Sequence, residues 1–284
     1  LPDDLPDDLK LRQRDHARLA GGALVAACAL LAGCASLPGN QTTLLNERWV
    51  ESAVAGHGGP TVVFESGLGA NLNAWAKVFP EVAGFTTAFA WSRPGEGASA
   101  PSDAPRTGKV VVEELRTTLR SRGLAPPYVL VGHSLGGLYL QLFAREYPEE
   151  VAGLVLVDSS HPSQMAGARG RPPRTFWTML LSLYMTGVRG REFRALNQTG
   201  AQVLGAHPFD GARVTVLSAG RDPTLEGRAP TPGEALRLDV ARLYPGSQQR
   251  WVDSGHNIQA SHPQVVIDAI REHVLRARAA GGVP

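Results

Sequence analysis

A serine placed between glycines directly after an apolar run is the first point in this chain where chemistry could gather. In YVLVGHSLGGLYL, Tyr128 to Leu140, the pentapeptide Gly132-His133-Ser134-Leu135-Gly136 fits the pattern G-x-S-x-G. That pattern does chemistry only where a strand ends abruptly, a strained turn lifts the serine hydroxyl, and a helix starts at once. The glycines are needed where a side chain would collide with the strand or the helix. Here YVLV supplies the strand, and LGGLYLQLFAREYP supplies the helix, closed by Pro148. In a chain with 32 glycines the five residues alone carry little weight. The flanking elements make Ser134 a candidate nucleophile.

A serine hydroxyl attacks poorly at neutral pH, so a base must take its proton and a third group must orient that base. In sites of this strand-turn-helix type, the acid and then the histidine follow the serine along the chain. Position removes most of the eight histidines. His16 falls in an N-terminal leader, His57 precedes the sheet, His133 is inside the motif and His273 belongs to the last helix. His256, in WVDSGHNIQASHP, occupies a loop between the last expected strand and the last helix, and is the expected base. His262 abuts Pro263 and suits a capping or supporting role. Two acids compete. Asp222 follows RVTVLSAG in GRDP and precedes His256, and this order and loop favour it; Asp158, ending GLVLVD, is the alternative. The oxyanion formed on attack needs two prepared donors. One is the backbone N–H of Leu135, and the glycine-lined backbone from Ser66 to Gly69 offers a second.

These residues require a scaffold, and the apolar pattern describes one. Short runs bounded by Gly or Pro read as strands: TVVFES, FTTAFAW, YVLVG, GLVLVD, RVTVLSAG and QQRWVD. Between them Val111, Leu115 and Leu119 recur at helical spacing, as do Val266, Ile270 and Val274, with Pro263 where a first helical residue is welcome. Strands apolar on both faces that alternate with helices imply an α/β fold, a mostly parallel sheet with helices on both faces. ERWVESAVAG could add an antiparallel edge hairpin. Between Asp158 and Arg213 no strand is expected. Phe176, Leu180, Leu183 and Tyr184 there follow a helical period, so residues of about 161–210 form either a helical cap over a pocket or a packing helix.

The segments ESGLG, SRPGEGAS, VGHSLGG, LVLVDSSHP, GRDP and SGHNI together make the chain from Arg48 to Val274 resemble the α/β-hydrolase fold family. The resemblance implies a serine hydrolase that cleaves a carboxylic ester through an acyl-enzyme, with Ser134, Asp222 and His256 as its triad and no metal or organic cofactor. Ser66-Gly67 stands where the family commonly has His-Gly, so Leu68 resembles the second oxyanion donor. SRPGEGAS resembles the loop that packs beside this site; read alone it is a tight Gly/Pro turn. A serine nucleophile argues against the dehalogenase and epoxide-hydrolase members, which use an acid there. Other readings keep the fold: a lipid-anchored binding protein with idle catalytic parts, or an acyltransferase or C–C bond hydrolase with the same triad.

Composition limits the remaining choices. With 43% hydrophobic and 19% charged residues the 284-residue chain can bury a sizeable core. Net charge is +2 and the arginines are scattered, so nucleic-acid binding has no electrostatic footprint. A small-molecule ester is the expected partner. Both cysteines lie near the N-terminus. Lys10, Arg12, Arg14 and Arg18 precede an uncharged apolar run from Leu19 to Ala32, shorter than the roughly 20 residues of a transmembrane helix. This layout fits a secretory signal. Leu31-Ala32-Gly33-Cys34 resembles the lipobox of bacterial lipoprotein precursors, which implies cleavage before Cys34, lipidation of Cys34 and attachment to a membrane of the cell envelope. Ala35, not aspartate, follows, which leans toward an outer membrane. The expected organisation is a signal peptide over 1–33, a tether over 34–46 and the hydrolase domain over 47–284.

Overall fold

The apolar runs bounded by glycine or proline fold as strands, and two more strands extend the sheet at one edge. The computed structural model describes residues 36–164 and 186–281. Its strands are β1 (Asn40–Leu45), β2 (Arg48–Ala55), β3 (Thr61–Glu65), β4 (Ala88–Trp91), β5 (Tyr128–His133), β6 (Val151–Val157), β7 (Val214–Ala219) and β8 (Gln248–Val252). They form one sheet in the order β1-β2-β4-β3-β5-β6-β7-β8. β2 pairs antiparallel with β1 and β4, while the neighbours from β4 to β8 are parallel. The sheet is the mostly parallel α/β arrangement expected from the pattern.

The helices are α1 (Phe79–Ala83), α2 (Gly108–Ser121), α3 (Leu135–Glu146), α4 (Gly187–Gly205), α5 (Pro232–Arg242), α6 (Ile258–Ser261) and α7 (Pro263–Gly281). Side chains alternate across a strand, so consecutive apolar residues feed two cores. Val63 and Leu130 pack on one face with Leu115 and Leu119 of α2 and Phe143 of α3. Val62, Phe64, Val129 and Val131 pack on the other with Phe79 of α1 and Val266 and Ile270 of α7. This two-sided burial is why the central strands show no polar alternation.

One expectation needs amendment, and one pair of alternatives is narrowed. Residues 34–46 are expected to be a tether, yet Asn40–Leu45 is a strand that pairs with β2, Leu44 opposite Trp49. Its turn is Asn46-Glu47, both at positive φ, 46° and 62°. The antiparallel edge expected from ERWVESAVAG is present as β2, but such a two-residue turn favours Asn-Gly, and glutamate at its second position hides the partner strand β1 from the sequence. In the 161–210 region, α4 is a packing helix at least in part: Thr199 Oγ1 and Gln202 Oε1 accept the N–H groups of Gly108 and Lys109 at the start of α2, at 3.0 and 3.1 Å. Phe176, Leu180, Leu183 and Tyr184, like the signal segment and Cys34, lie outside the described residues.

Register decides where the loops emerge. Glu65 stands opposite Gly132, His133 opposite Val157, Val157 opposite Leu217, and Ala219 opposite Val252. The C-terminal ends of β3, β5, β6, β7 and β8 are therefore nearly level. Residues just beyond them share one edge, where parallel α/β sheets hold their ligands.

The helix face beneath that sheet contains a titrating group. His273 of α7 is buried, with Nε2 2.9 Å from Thr215 Oγ1. Burial pushes its pKa from 6.5 down to about 4, so the folded chain holds it neutral where the unfolded chain would protonate it. Between those values the unfolded state binds more protons, and stability falls as pH drops through the window. A histidine shifted this far contributes a loss of about 2 kcal/mol between pH 7 and pH 5. We expect His273→Gln to reduce the pH 7 to pH 5 loss of stability by about that amount in urea unfolding; an unchanged pH dependence would contradict the assignment.

Candidate active site

Ser134 sits where β5 stops and α3 begins, at φ 53° and ψ −121°. A non-glycine residue reaches such a conformation only when its surroundings hold it there. The Ser134 N–H donates to the Val157 carbonyl at 3.2 Å, and its own carbonyl accepts from Leu138 and Ser160 at 3.3 and 3.0 Å. The turn is tight enough to exclude side chains on either side. A Cβ on Gly132 would stand 2.6 Å from Gly137 Cα, and one on Gly136 would stand 2.3 Å from the Glu65 carbonyl oxygen.

His256 follows β8, and its Nδ1 lies 2.6 Å from Asp158 Oδ2. Asp158 is the residue immediately after β6, at φ 41°, and its side chain is 2% exposed. Its carboxylate accepts three further hydrogen bonds. Ala219 N–H and Arg237 Nε donate to Oδ1 at 3.1 and 2.6 Å, and Arg237 Nη2 donates to Oδ2 at 2.9 Å. Burial alone would raise the Asp158 pKa, but hydrogen bonds from His256, Arg237 and Ala219 outweigh it and hold the group well below the usual carboxylate range. A charged carboxylate can only accept, so the His256 proton resides on Nδ1 and Nε2 is left as an acceptor. His133 supports the same loop: its Nε2 donates to the His256 carbonyl at 3.0 Å, and the two rings stand 4.6 Å apart. Burial pushes the His133 pKa down to about 4, which keeps that ring neutral.

Of the two acids the sequence offers, the structure brings Asp158 and not the favoured Asp222 to His256. Asp222 is only half-buried, and its Oδ1 accepts from the backbone N–H and hydroxyl of Thr224 at 2.9 and 2.6 Å. It closes a local turn and makes no bond to His256. Chain order allowed either acid. What separates them is distance from a strand end: Asp158 directly follows β6 and faces the backbone of β7, whereas Asp222 stands three residues beyond β7. His262 is exposed, with Nδ1 3.1 Å from Ser261 Oγ.

Ser134 lines two cavities that share Ser160, His161 and Gln164. One, about 230 Å³, is bordered by Asp158, Arg237 and His256. The other, about 270 Å³, is bordered by Leu68, Leu135, Leu138, Phe193 and Leu196. The serine thus stands between a polar and an apolar compartment. A Cβ on Gly67 would lie 3.3 Å from Ser134 Cβ, so the backbone leading to Leu68 passes against the serine. Among the described residues, the N–H groups of Leu68 and Leu135 donate to no other residue. Both are backbone donors available to a ligand oxygen. No group of three or more His, Cys, Asp or Glu among the described residues is arranged to hold a metal ion.

Sequence reasoning missed Arg237 and set His133 aside. Arg237 lies on a helix with no motif, and only its three-dimensional neighbour gives it a role. His133 carried a usable signal, since a histidine preceding the serine of such a turn must lie beside the loop that crosses it. The pairing can be observed directly. We expect a strongly downfield proton resonance from His256 Nδ1–H that Asp158→Asn shifts or removes and Asp222→Asn leaves in place. Loss of the resonance in Asp222→Asn would reverse the assignment.

The site's strand-turn-helix frame agrees with comparisons to known proteins. An uncharacterized protein, YqjL, of Bacillus subtilis strain 168 is 27% identical over 220 residues, covering 76% of this chain and 83% of that protein. Among solved structures, Cfl2 of Burkholderia cenocepacia superposes with a TM-score of 0.64 at 18% identity, over 83% of this chain and 95% of that one. The protein lip1 of Acinetobacter baumannii AYE gives a TM-score of 0.63 at 20% identity, over 85% of this chain and 93% of that one. The family model for the alpha/beta hydrolase fold matches residues 60–233. With the sheet order and the Ser134 turn already described, this match shows that the chain belongs to the alpha/beta hydrolase fold family.

Proposed function

We propose that the protein is a serine hydrolase that cleaves a carboxylic ester through an acyl-enzyme. Ser134 is the nucleophile, His256 the general base and acid, and Asp158 the group that orients His256. The observation that carries this reading is the 2.6 Å contact between His256 Nδ1 and a buried, charged Asp158, on a cavity that Ser134 also lines. A proton acceptor with a fixed tautomer beside a strained serine is the arrangement that activates a hydroxyl.

The steps follow from these groups. Ser134 Oγ adds to the ester carbonyl carbon while His256 Nε2 takes the hydroxyl proton. The carbonyl oxygen becomes an oxyanion, which the N–H groups of Leu68 and Leu135 receive. The C–O bond to the alcohol breaks as the intermediate collapses, and His256 returns the proton to the departing oxygen. Water then adds to the acyl carbon with its proton going to His256. The bond to Oγ breaks, Ser134 regains a proton from His256, and the carboxylic acid leaves. The apolar cavity beside Leu68 and Leu135 suits the acyl group. The polar cavity beside His256 suits the alcohol, which must receive its proton there. Attachment to a membrane through Cys34 belongs to the same proposal, supported by Leu31-Ala32-Gly33-Cys34; Cys34→Ser is expected to abolish incorporation of labelled fatty acid.

A fluorophosphonate separates an enzyme from a binding protein with the same fold, since it labels a serine only where the hydroxyl is activated. We expect labelling of the parent and none of Ser134→Ala, which should remain folded and lose hydrolysis of p-nitrophenyl butyrate. Asp158→Asn is expected to lower kcat on the order of 10⁴-fold by disturbing the tautomer of the base. Asp222→Asn, a change in a local turn away from His256, should stay within about twofold of the parent. Undiminished hydrolysis by Ser134→Ala would sink the proposal.

A further inference from the structure

Arg93, in the loop SRPGEGAS, is 1% exposed, and each of its five N–H groups has an acceptor. Nη1 donates to Glu65 Oε1 and to the Ser66 carbonyl, both at 2.6 Å. Nη2 donates to the Gly67 carbonyl at 2.8 Å and to Glu192 Oε2 at 3.0 Å, and Nε donates to Glu192 Oε1 at 2.8 Å. Glu65 and Glu192 are themselves fully buried, and Glu65 also accepts from Trp91 Nε1 at 2.6 Å. With Arg106, whose Nη2 lies 3.7 Å from Glu192 Oε1, four charged side chains are thus withdrawn from water in one cluster. Buried ion pairs of this kind add little net stability compared with well-packed apolar side chains. Their effect is better sought in what they hold in place.

What they hold is the Ser66-Gly67-Leu68 backbone. The Gly67–Leu68 bond is trans, and in a trans peptide the C=O and the next N–H point in opposite directions. With the Gly67 carbonyl fixed on Arg93, the Leu68 N–H points away from Arg93. Gly67 lies against Ser134, and Leu68 lines the apolar cavity beside it. We propose that Arg93, held by Glu65 of β3 and Glu192 of α4, is a positioning residue that fixes the Gly67–Leu68 peptide so that the Leu68 N–H meets the oxyanion formed at Ser134. This inference rests on the serine-hydrolase reading. A donor fixed in advance stabilises developing charge without reorganising during the reaction. A peptide able to rotate would present its carbonyl oxygen to the same charge.

Arg93→Lys tests the inference while keeping a positive charge beside both glutamates. An ammonium has three donors on one nitrogen and cannot reproduce the planar five-donor fork. Glu192→Gln keeps the shape of the second anchor and removes its charge. Turnover of p-nitrophenyl butyrate is measured per active site titrated with fluorophosphonate, together with affinity for a trifluoromethyl ketone that forms a tetrahedral adduct. We expect Arg93→Lys to lower kcat per site about 10- to 100-fold, with KM within about threefold, and ketone affinity to fall in parallel. Glu192→Gln should move in the same direction by less, and it decides the matter if Arg93→Lys does not fold. Fewer titratable sites and a lower Tm with unchanged kcat per site and ketone affinity would mean a merely structural role and overturn the inference. A parent that neither turns over ester nor takes the probe overturns the hydrolase reading and this inference together. An active parent with undiminished variants overturns this inference alone.

Discussion

The Asp158 carboxylate is the point on which the arrangement around Ser134 depends. One buried anion accepts from the end of β7, from α5 and from the loop after β8, through Ala219, Arg237 and His256. An uncompensated buried carboxylate would be neutral or strongly destabilising, so these donors are a condition of its charge. The consequence runs outward: the charge fixes the His256 tautomer, and the bonds that sustain it tie three chain segments to the end of β6. Arg237 matters most in this respect. Its two-point contact neutralises Asp158 from the side opposite in role to His256, and it anchors α5, whose backbone carbonyl at Arg237 accepts from Gln249 at 3.1 Å.

The other flank of Ser134 inverts the sign. There a buried cation, Arg93, gathers two carboxylates and two backbone carbonyls, and the chain it organises leads into Leu68. Between the two centres lies the serine turn, held by backbone hydrogen bonds and by the absence of side chains at Gly132 and Gly136. Neither centre could shift far without breaking charge-assisted bonds, which are roughly twice as strong as neutral ones. The site is thus rigid at both ends, and the strain recorded in the φ of Ser134 is sustained between them.

Much of this was legible in the sequence, and the reason differs by feature. The central strands and α2, α3 and α7 announce themselves because burial on both faces of a sheet demands long apolar runs and helical spacing. The serine turn was legible because only glycine tolerates its neighbours. In the edge hairpin, ERWVESAVAG was legible as an antiparallel strand, but its partner β1 was not, because Asn46-Glu47 lacks the glycine that marks such turns. The carboxylate that meets His256 was not legible: chain order and loop favoured Asp222 over the alternative Asp158, since order constrains topology while hydrogen bonding depends on angstroms. Arg93 sat in a segment expected beside the site by resemblance and otherwise legible only as a tight turn, with no role given to the arginine itself. Its partners Glu65 and Glu192 are 28 and 99 residues away, and no local pattern links them.

That separation bears on how shape and chemistry are joined. Glu192, which holds Arg93, is followed immediately by Phe193, which lines the apolar cavity, and Leu196 lies one turn further along the same helix. Helix α4 therefore carries both a wall of that cavity and an anchor of the Leu68 loop. Its Thr199 and Gln202 in turn fasten it to the start of α2. Because successive residues of a helix move together, widening the cavity by displacing α4 would pull Glu192 from Arg93 and loosen the donor at Leu68. Side-chain substitution at Phe193 or Leu196 can change the cavity without that penalty, since it leaves the helix axis where Glu192 needs it. Pocket size is consequently adjustable by residue identity and resistant to backbone motion.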